Sequence, residues 1–392
     1  MKRIAVIGAG AAGCFCAAEL RRRRPAVKVD VYESGPKPLA KVAITGGGRC
    51  NLTNSFEGIR SLGEAYPRGE RLMKRLLRVF SQEDTWRWFE DAGVPLVLQD
   101  DHCVFPRSQD AMDIVHALLR RMEGVNLLLR TPVHSIGPDL TVDGEAYDAV
   151  VVTTGGAPKG LPLLEGLDLE WVPTAPSLFT FTIQDEGLRA LMGLVVEATV
   201  SIPGTTFKAD GPLLITDWGL SGPAVLKLSS YAARHLHDAG YKAPLSVNWL
   251  SLSEAETRAL LEELSTANPR KQVSNTPPAG LQARLWNYLT VKAGLRPDIR
   301  WAELGSKGLN KLVNTLAQDS YTIAGKTKFR DEFVTCGGVA LSNLNPATLE
   351  SKQYPGLYFA GEVLDIDAIT GGFNLQAAWT TGYVAAQSIA SK

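Results

Sequence analysis

The stretch RIAVIGAGAAG, residues 3–13, decides the fold. Its IAVI run is apolar and rich in β-branched residues, which predicts a short buried strand. Three glycines in the spacing G-x-G-x-x-G follow, and the Ala-rich run after them predicts a helix from about Ala11 to Arg23. A second predicted strand, residues 27–32, alternates apolar and polar side chains and ends in Glu33. The stretch therefore predicts a β-α-β unit of the kind that binds a dinucleotide.

Each part of the glycine motif has a physical role in binding a pyrophosphate. Gly8 allows the tight turn, Gly10 lets the backbone approach the phosphates, and Gly13 lets the helix pack closely on the strand. The helix N-terminus offers unpaired N–H groups and the positive end of its dipole. Glu33, at the end of the second strand, is placed to accept hydrogen bonds from the adenosine ribose. A glycine turn without a ligand is the alternative, and the surrounding strand, helix and carboxylate argue against it.

The C-terminal stretch distinguishes FAD from NAD. Residues 356–365 read GLYFAGEVLD, a short apolar strand that leads into Gly361 and Glu362. In FAD enzymes such a late strand returns to the first sheet, and its carboxylate binds the ribityl chain. Residues 370–374, TGGFN, then open the last helix, whose positive N-terminus favours the anionic edge of a reduced flavin. We therefore predict FAD, and a strand and helix that only pack are the alternative.

The pattern along the chain predicts an α/β fold with insertions. Early strands and helices alternate, with helices expected over residues 71–92 and 110–122 and a strand over residues 126–133, which indicates a largely parallel sheet. Short strand-like runs separated by Pro, Gly and Thr then predict an antiparallel β insert, and a helical stretch follows it. We expect a Rossmann-like FAD-binding domain split between both chain ends, an inserted antiparallel β domain and a small helical domain. The predicted boundaries are 1–171 and 332–392 for the FAD-binding domain, 172–250 and 319–331 for the β domain, and 251–318 for the helical subdomain.

The stretch ITGGGRCNLTN, residues 44–54, resembles the GGGRCN-type motif of the YhiN/BaiN-like bacterial flavoproteins. That family includes aminoacetone-oxidase-like NAD(P)/FAD-dependent oxidoreductases. The segments VFPRS (104–108) and GLSGPAVL (219–226) resemble its pattern too, as does the tail over residues 335–383. The resemblance covers nearly the whole chain. It implies a two-part FAD domain, an inserted β domain, a small helical domain and an FAD-dependent oxidoreductase activity.

These segments supply the candidate cofactor contacts. From the fingerprint and the residues after the second strand we expect Gly8, Gly10, Ala11, Ala12, Gly13, Glu33, Ser34 and Lys41. From the glycine-rich loop we expect Thr45, Gly46, Gly47, Gly48, Arg49, Cys50 and Asn51. From later segments we expect Val133 (at the adenine), Thr154, Gly155, Gly156, Gly361, Glu362, Gly372, Phe373, Asn374 and Leu375. The candidates for a catalytic role are Arg49, Cys50, Asn51 and Cys336; for Arg49 and Asn51 the alternative is that they only tie down the loop.

The cysteines and histidines predict neither a redox pair nor a metal site. Disulfide reductases of related fold keep two cysteines a few residues apart, whereas the cysteine after Cys50 is Cys103. The five histidines are dispersed. Cys336 precedes Gly337 and Gly338, and glycines of this kind would let the backbone run close to a flat flavin ring. A plain β-turn is the alternative for them.

Composition limits the classes of partner. Forty-one basic residues balance 41 acidic ones, so the net charge favours neither nucleic acid nor an anionic membrane as a partner. No apolar run approaches the roughly 18 residues that a membrane span needs. We therefore expect a cytoplasmic protein with a small-molecule substrate, and the sequence leaves the oligomeric state open.

The predicted function is an FAD-dependent oxidoreductase with noncovalent FAD. It would exchange a hydride between flavin N5 and either a small amine or enone-like substrate or NAD(P)H. Because the chain has no second dinucleotide fingerprint, NADH or NADPH is expected only as a transient electron donor. Two alternatives stay open: a non-catalytic flavin-binding redox sensor or partner-binding protein, and a flavin enzyme acting on RNA, which the neutral charge disfavours.

Overall fold

In the computed structural model, the described residues are 3–156, 161–326 and 334–392. The chain divides into two compact units, Met1–Pro176 with Val334–Lys392, and Ser177–Phe333. The first unit thus extends to Pro176, beyond the predicted boundary at residue 171. The predicted return boundary at residues 331 and 332 lies outside the described residues.

The strands are β1 (Arg3–Ile7), β2 (Lys28–Tyr32), β3 (Thr53–Asn54), β4 (Leu96–Leu98), β5 (Cys103–Pro106), β6 (Asn126–Leu128), β7 (Thr141–Val142), β8 (Glu145–Ala146), β9 (Ala149–Val152), β10 (Trp171–Ser177), β11 (Phe181–Ile183), β12 (Val195–Ser201), β13 (Lys208–Ile215), β14 (Gly219–Ser221), β15 (Ala243–Asn248), β16 (Asp319–Lys326), β17 (Val334–Val339) and β18 (Leu357–Phe359). The helices are α1 (Ala11–Arg23), α2 (Ala40–Gly48), α3 (Leu62–Ala65), α4 (Glu70–Leu76), α5 (Gln82–Asp91), α6 (Ala111–Arg121), α7 (Glu186–Arg189), α8 (Pro223–Tyr231), α9 (Ala233–Asp238), α10 (Glu254–Ala267), α11 (Ala283–Lys292), α12 (Gly305–Ala317) and α13 (Phe373–Ala390).

A five-stranded parallel sheet forms the centre of the first unit, in the order β18-β9-β1-β2-β6. Strands β1, β9 and β18 are almost entirely buried, as continuous apolar runs require, whereas the edge strand β6 is only partly buried. The last strand, β18, pairs with β9 and so brings the C-terminal segment into the sheet that the N-terminus begins. The predicted split Rossmann-like fold is confirmed.

Helices α1 and α13 join the two chain ends above this sheet. Phe15 on α1 and Trp379 on α13 are fully buried, with ring centroids 5.5 Å apart. The indole of Trp379 also donates a hydrogen bond to the carbonyl oxygen of Leu52, at 3.0 Å. The last helix is thereby fixed to both the fingerprint helix and the residues just after the glycine-rich loop.

Two predicted elements are shorter than expected. The helix expected over residues 71–92 is two helices, α4 and α5, because Ser81 and Asp84 form a capping box that begins a new helix at Gln82. The strand expected over residues 126–133 is confined to β6, Asn126–Leu128.

The second unit contains a closed antiparallel barrel in the order β11-β14-β13-β12-β15-β16. The helices α10, α11 and α12 share one hydrophobic core with it, in which Trp249, Trp286 and Trp301 are fully buried. Barrel and helices thus belong to the same compact unit, and the barrel closes only with β16, which follows the helices. Among the described residues, no helix combines the length and apolarity that a bilayer crossing needs.

Candidate flavin site

The fingerprint loop has the backbone geometry that a bound pyrophosphate requires. A methyl group at Gly13 would lie 1.9 Å from the carbonyl oxygen of Gly8, so only glycine allows α1 to pack this closely on the turn. At Gly10, which precedes α1, an added methyl group would have no atom of the described residues within 4 Å. The loop is therefore tight on its protein side and open beside the helix N-terminus, where phosphates bind.

Glu33 holds this loop in place. Its carboxylate accepts hydrogen bonds from the backbone N–H of Ala9, at 3.0 Å, and of Gly35, at 2.7 Å. The Ser34 hydroxyl donates to the same carboxylate at 3.3 Å. Because each carboxylate oxygen accepts more than one hydrogen bond, ribose hydroxyls can still bind Glu33.

The segment after β6 runs beside Glu33. Thr131 donates its backbone N–H to the carbonyl oxygen of Glu33 at 2.8 Å, and Arg130 donates to that of Gly35 at 3.0 Å. Val133, predicted to contact adenine, is half-buried two residues further along this segment. The segments that follow β2 and β6 thus lie side by side, where the adenosine of a bound dinucleotide is expected.

The glycine-rich loop is a kinked helix end. Within α2, Thr45 leaves the helical conformation, and Gly46 and Gly47 adopt left-handed backbone angles. The backbone N–H of Cys50 then closes the loop on the carbonyl oxygen of Thr45, at 2.9 Å. Methyl groups at Gly47 and Gly48 would meet no atom of the described residues within 4 Å. This loop, like the fingerprint, presents bare backbone to open space.

Arg49 and Asn51 have different surroundings. The Arg49 guanidinium donates to the carbonyl oxygen of Gly46 at 3.1 Å and lies 4.5 Å from the ring centre of Phe105. It thus ties the loop to its neighbours, the alternative left open by the sequence. The side-chain oxygen of Asn51, in contrast, is buried and has no hydrogen-bond partner within the described part of the chain. A buried acceptor of this kind needs a donor, which a bound cofactor can supply.

Glu362 lies where three separate segments meet. One carboxylate oxygen accepts the backbone N–H of Thr335 at 2.8 Å, and the other lies 3.6 Å from the Nζ of Lys41. A methyl group at Gly156 would lie 2.8 Å from the Glu362 carboxylate. The neighbouring Thr154 hydroxyl is buried and has no partner among the described residues. The Glu362 carboxylate is therefore surrounded by predicted contacts or their chain neighbours: Lys41, Thr154, Gly155, Gly156 and Gly361.

The N-terminus of α13 lies against the glycine-rich loop. A methyl group at Gly372 would lie 2.4 Å from the carbonyl oxygen of Thr53 and 2.8 Å from the side-chain oxygen of Asn51. The Asn374 amide makes two 2.9 Å hydrogen bonds to the backbone of Ala368, which order the preceding loop. Tyr66 donates its hydroxyl to the carbonyl oxygen of Phe373 at 2.9 Å. The helix end is thus held rigidly beside Asn51, with Leu375 in its first turn.

These residues fit FAD. Two uncapped helix N-termini, those of α1 and α13, offer N–H groups to the pyrophosphate and to the flavin edge. The carboxylates of Glu33 and Glu362 suit the ribose and the ribityl hydroxyls. The buried oxygens of Asn51 and Thr154 have capacity for a ligand. These candidate contacts all lie in the first compact unit, and the surface that they form is called the FAD cradle below.

The cysteine candidates are buried. Burial raises the pKa of the Cys50 thiol to about 12 and that of Cys103 to about 11. Cys336 is fully buried within β17. The β-turn alternative for Gly337 and Gly338 is wrong, because both glycines lie inside that strand.

The backbone beside β17 explains these two glycines. Methyl groups at Gly337 and Gly338 would lie 2.4 Å from the carbonyl oxygen of Pro173 and 2.3 Å from that of Val363. Glycine is thus needed here because two neighbouring backbone segments approach closely.

Sequence reasoning missed a buried ion pair at the edge of the cradle. Arg68 and Asp367 pair through both carboxylate oxygens, and the two residues also form a backbone bridge. They are 299 positions apart, so no local pattern signals the pair. The pair joins the start of α4 to the loop that leads into α13.

Comparisons with known proteins agree with this geometry. The family model of the HI0933-like protein Rossmann domain matches residues 2–388. The chain is 31% identical to a ribosomal RNA dihydrouridine synthase of Escherichia coli K12, over 98% of this chain and 97% of the relative. It is 27% identical to a 3-dehydro-bile acid delta(4,6)-reductase of Clostridium scindens, over the full length of both.

A solved structure shares the fold. The 3-ketosteroid delta1-dehydrogenase of Sterolibacterium denitrificans aligns over the full length of both chains with a TM-score of 0.50 and 15% identity. With the match of nearly the whole sequence and the FAD cradle of the first unit, this chain belongs to the HI0933-like family of FAD-dependent oxidoreductases.

Proposed function

We propose that this protein reduces a carbon–carbon double bond conjugated to a carbonyl group, and that its substrate is a uracil base of ribosomal RNA. The observation that carries the proposal is the chemistry shared by the full-length relatives. Making dihydrouridine from uridine saturates the C5–C6 bond of uracil beside the C4 carbonyl, and a delta(4,6)-reductase saturates bonds conjugated to a 3-oxo group. The Escherichia coli relative, which at 31% identity is more similar to this chain than the bile acid reductase at 27%, acts on ribosomal RNA by name, which favours uracil over a steroid enone.

The balance of the reaction is simple. The double bond gains a hydride at one carbon and a proton at the other, and NADH or NADPH is oxidised to NAD⁺ or NADP⁺. Bound FAD supplies the hydride-transferring N5 between the two. We propose that the FAD is noncovalent and that the nicotinamide nucleotide visits the site transiently.

The chain's own residues bind and orient the reacting groups. Glu362 is fixed by the backbone N–H of Thr335 and by Lys41, and its carboxylate would accept hydrogen bonds from the ribityl hydroxyls of a bound FAD. The N-terminus of α13 directs its dipole at the flavin edge that becomes anionic on reduction. The Cys50 thiol keeps its proton at neutral pH because burial raises its pKa to about 12. It therefore packs beside the loop as a neutral group.

The test uses the purified yellow holoprotein under anaerobic conditions. Unmodified ribosomal RNA transcribed in vitro, from each subunit separately, is incubated with the protein and NADPH or NADH, then digested to nucleosides for mass spectrometry. We expect dihydrouridine to form only when protein and nicotinamide nucleotide are both present. A 3-oxo-Δ4 steroid and free uridine serve as small-molecule substrates in parallel. Acid treatment of the same preparation releases the flavin, which we expect to be FAD.

Three results would count against the proposal. Reduction of the steroid without any dihydrouridine would assign a small enone as the substrate class. Oxidation of an amine by the same preparation, with no reduction of either double bond, would assign the opposite direction of electron flow. No turnover with any of these compounds would favour a non-catalytic flavin-binding protein.

A further inference from the structure

One surface of the first unit carries cations that are not used within the protein. Arg71, Lys74, Arg75 and Arg78 are all exposed, and they form no ion pair or side-chain hydrogen bond within the described residues. The first three lie on α4 and the fourth in the turn that continues it. We call these four residues the α4 basic stripe.

The spacing places the stripe on one face of the helix. Positions i, i+3, i+4 and i+7 fall within about 100° of one another around an α-helix. The opposite face, Leu72, Met73 and Leu76, is buried in the first unit. The helix therefore presents a line of four positive charges, about 10 Å long, on a base fixed by apolar packing.

Other clustered arginines differ from this stripe. In the run at positions 21–24, Arg22 and Arg23 pair with Glu19 at 2.7 and 3.1 Å, and Arg24 donates to a backbone carbonyl. That cluster is used to bind its own chain. The guanidinium groups of that run already have partners within the protein. The charged groups of the α4 basic stripe have none among the described residues and can therefore bind a ligand.

The stripe begins at the edge of the flavin cradle. The buried pair of Arg68 and Asp367 fixes the residues just before α4 to the loop just before α13. A methyl group at Gly69 would lie 2.6 Å from the side chain of Ile366, so the helix start packs directly on that loop. Gly372, which contacts the glycine-rich loop, follows a few residues later. The start of the stripe therefore lies a few residues along the chain from contacts with the loop that leads into α13, within the same compact unit.

We propose that the α4 basic stripe binds the phosphate backbone of the RNA whose uracil is reduced. A row of arginines suits phosphate oxygens because each guanidinium offers paired donors, and phosphate contacts position a polymer while other contacts read the base. An anionic membrane is a poorer partner, because a membrane-binding helix inserts an apolar face, and the apolar face of α4 is buried. The balanced charge of the whole chain averages over this local cluster. The proposal rests on the proposed function and gives it a binding surface.

The test compares two variants that each lose four positive charges. The stripe variant carries Arg71→Ala, Lys74→Ala, Arg75→Ala and Arg78→Ala. The control carries Arg270→Ala, Lys271→Ala, Lys307→Ala and Lys311→Ala, which are exposed cations of the other unit that form no ion pair within the described residues. Binding of ribosomal RNA transcribed in vitro is measured by filter binding at several KCl concentrations. Equal FAD content in all three proteins shows that the cradle is intact.

The salt dependence gives the decisive result. Each phosphate contact contributes roughly 0.7–0.9 to the slope of log Kd against log salt concentration. We expect the slope for the stripe variant to be smaller than the wild-type slope by about three, and its RNA binding at low salt to be at least tenfold weaker. The control should keep the wild-type slope. Equal slopes for the stripe variant and the wild type, or equal losses in both variants, would overturn the proposal. So would a wild-type protein that binds vesicles of anionic phospholipid through the stripe but not the RNA.

Failure of the proposed function gives a different result. Dihydrouridine is measured on the same RNA samples. If the wild type binds RNA through the stripe yet forms no dihydrouridine, the proposed reaction is wrong and the binding surface stands. If dihydrouridine forms and the stripe variant keeps the wild-type slope, the reaction stands and this binding surface is wrong.

Discussion

Gly10 and Gly13 of the fingerprint have opposite environments, although both are glycines of the same G-x-G-x-x-G motif. Gly13 faces its own turn, where a methyl group would lie 1.9 Å from a backbone oxygen, and Gly10 faces open space. The first is thus required by the fold and the second by the ligand. This distinction makes cofactor binding separable from folding.

We predict that Gly13→Ala and Gly10→Ala fail in different ways. Gly13→Ala forces α1 away from β1, and overpacking of this kind costs about 1–3 kcal/mol or more in the free energy of unfolding. Gly10→Ala should leave the apoprotein's melting temperature unchanged, while FAD affinity falls about tenfold or more because the methyl group meets the phosphates. Melting of the apoprotein and FAD titration check both. A Gly10→Ala protein with wild-type FAD affinity would contradict the placement of the pyrophosphate.

Burial at the cysteines leads to a second prediction. With a pKa of about 12, the Cys50 thiol is ionised in only about one molecule in 10⁵ at pH 7. Cys103 has a pKa of about 11, so its thiol is also almost entirely protonated at that pH. Since the thiolate is the reactive form, iodoacetamide should leave the folded protein unmodified, and all five buried cysteines should react after denaturation. Mass spectrometry of the intact chain gives the count. Rapid alkylation of folded protein at Cys50, with loss of flavin, would show a reactive thiol that this structure does not have.

At the scale of elements, the sequence predicts those helices and strands whose ends are determined by residues next to them in the chain. Helix α1 has the predicted bounds, Ala11–Arg23, because glycines precede it and Pro25 follows it. Strands β1, β2 and β18 were predicted within a residue or so because their apolar runs are bounded by glycine or a charged residue. Ser81 and Asp84 carried a capping signal that divides the helix predicted over 71–92, and that signal was missed.

Other features depend on partners far along the chain. The glycines at 337 and 338 suggest a turn or a ligand, and only the positions of Pro173 and Val363 reveal their role. The sequence assigns residues 319–331 to the β domain, but the pairing of β16 with β11 and β15, which closes the barrel, depends on partners that no strand pattern encodes. The same is true of the Arg68–Asp367 pair. In the cradle, the sequence thus proposed most contact residues, while the structure alone relates them to one another.

Packing of α1 on α13 provides a prediction at this scale. Gly382 is buried in α13, and a methyl group there would lie 2.7 Å from the backbone oxygen of Ala12. Gly382→Ala should therefore separate the two helices and lower the free energy of unfolding by about 1–3 kcal/mol. The matched control is Gly166→Ala, whose added methyl group has its nearest neighbour at 3.9 Å. Urea unfolding of both apoproteins measures the difference; equal midpoints would mean that α1 and α13 are not closely packed.

On the scale of the whole molecule, the candidate cofactor contacts all belong to the first compact unit, although its residues come from both ends of the chain. The unit in between has a core of its own, formed by the barrel and its helices. The chain leaves the first unit through β10 and returns through β17, which pair as a two-stranded sheet. Just beyond the two strands, Ala340 donates its backbone N–H to the carbonyl oxygen of Glu170. Within them, Gly337 packs on the backbone of Pro173. This pairing brings the exit at Pro176 close to the return at Val334.

That proximity allows the second unit to be removed. We predict that joining Pro176 to Val334 through a short Gly-Ser turn gives a protein that folds and binds FAD, because neither the parallel sheet nor the cradle loses a residue. FAD affinity should stay within about tenfold of the full chain, or 1.4 kcal/mol. Adding Gly10→Ala to the shortened chain is the control, and it should lower FAD affinity about tenfold or more, as in the full chain. A shortened protein that unfolds cooperatively but takes up no FAD would show that the inserted unit contributes to the cofactor site.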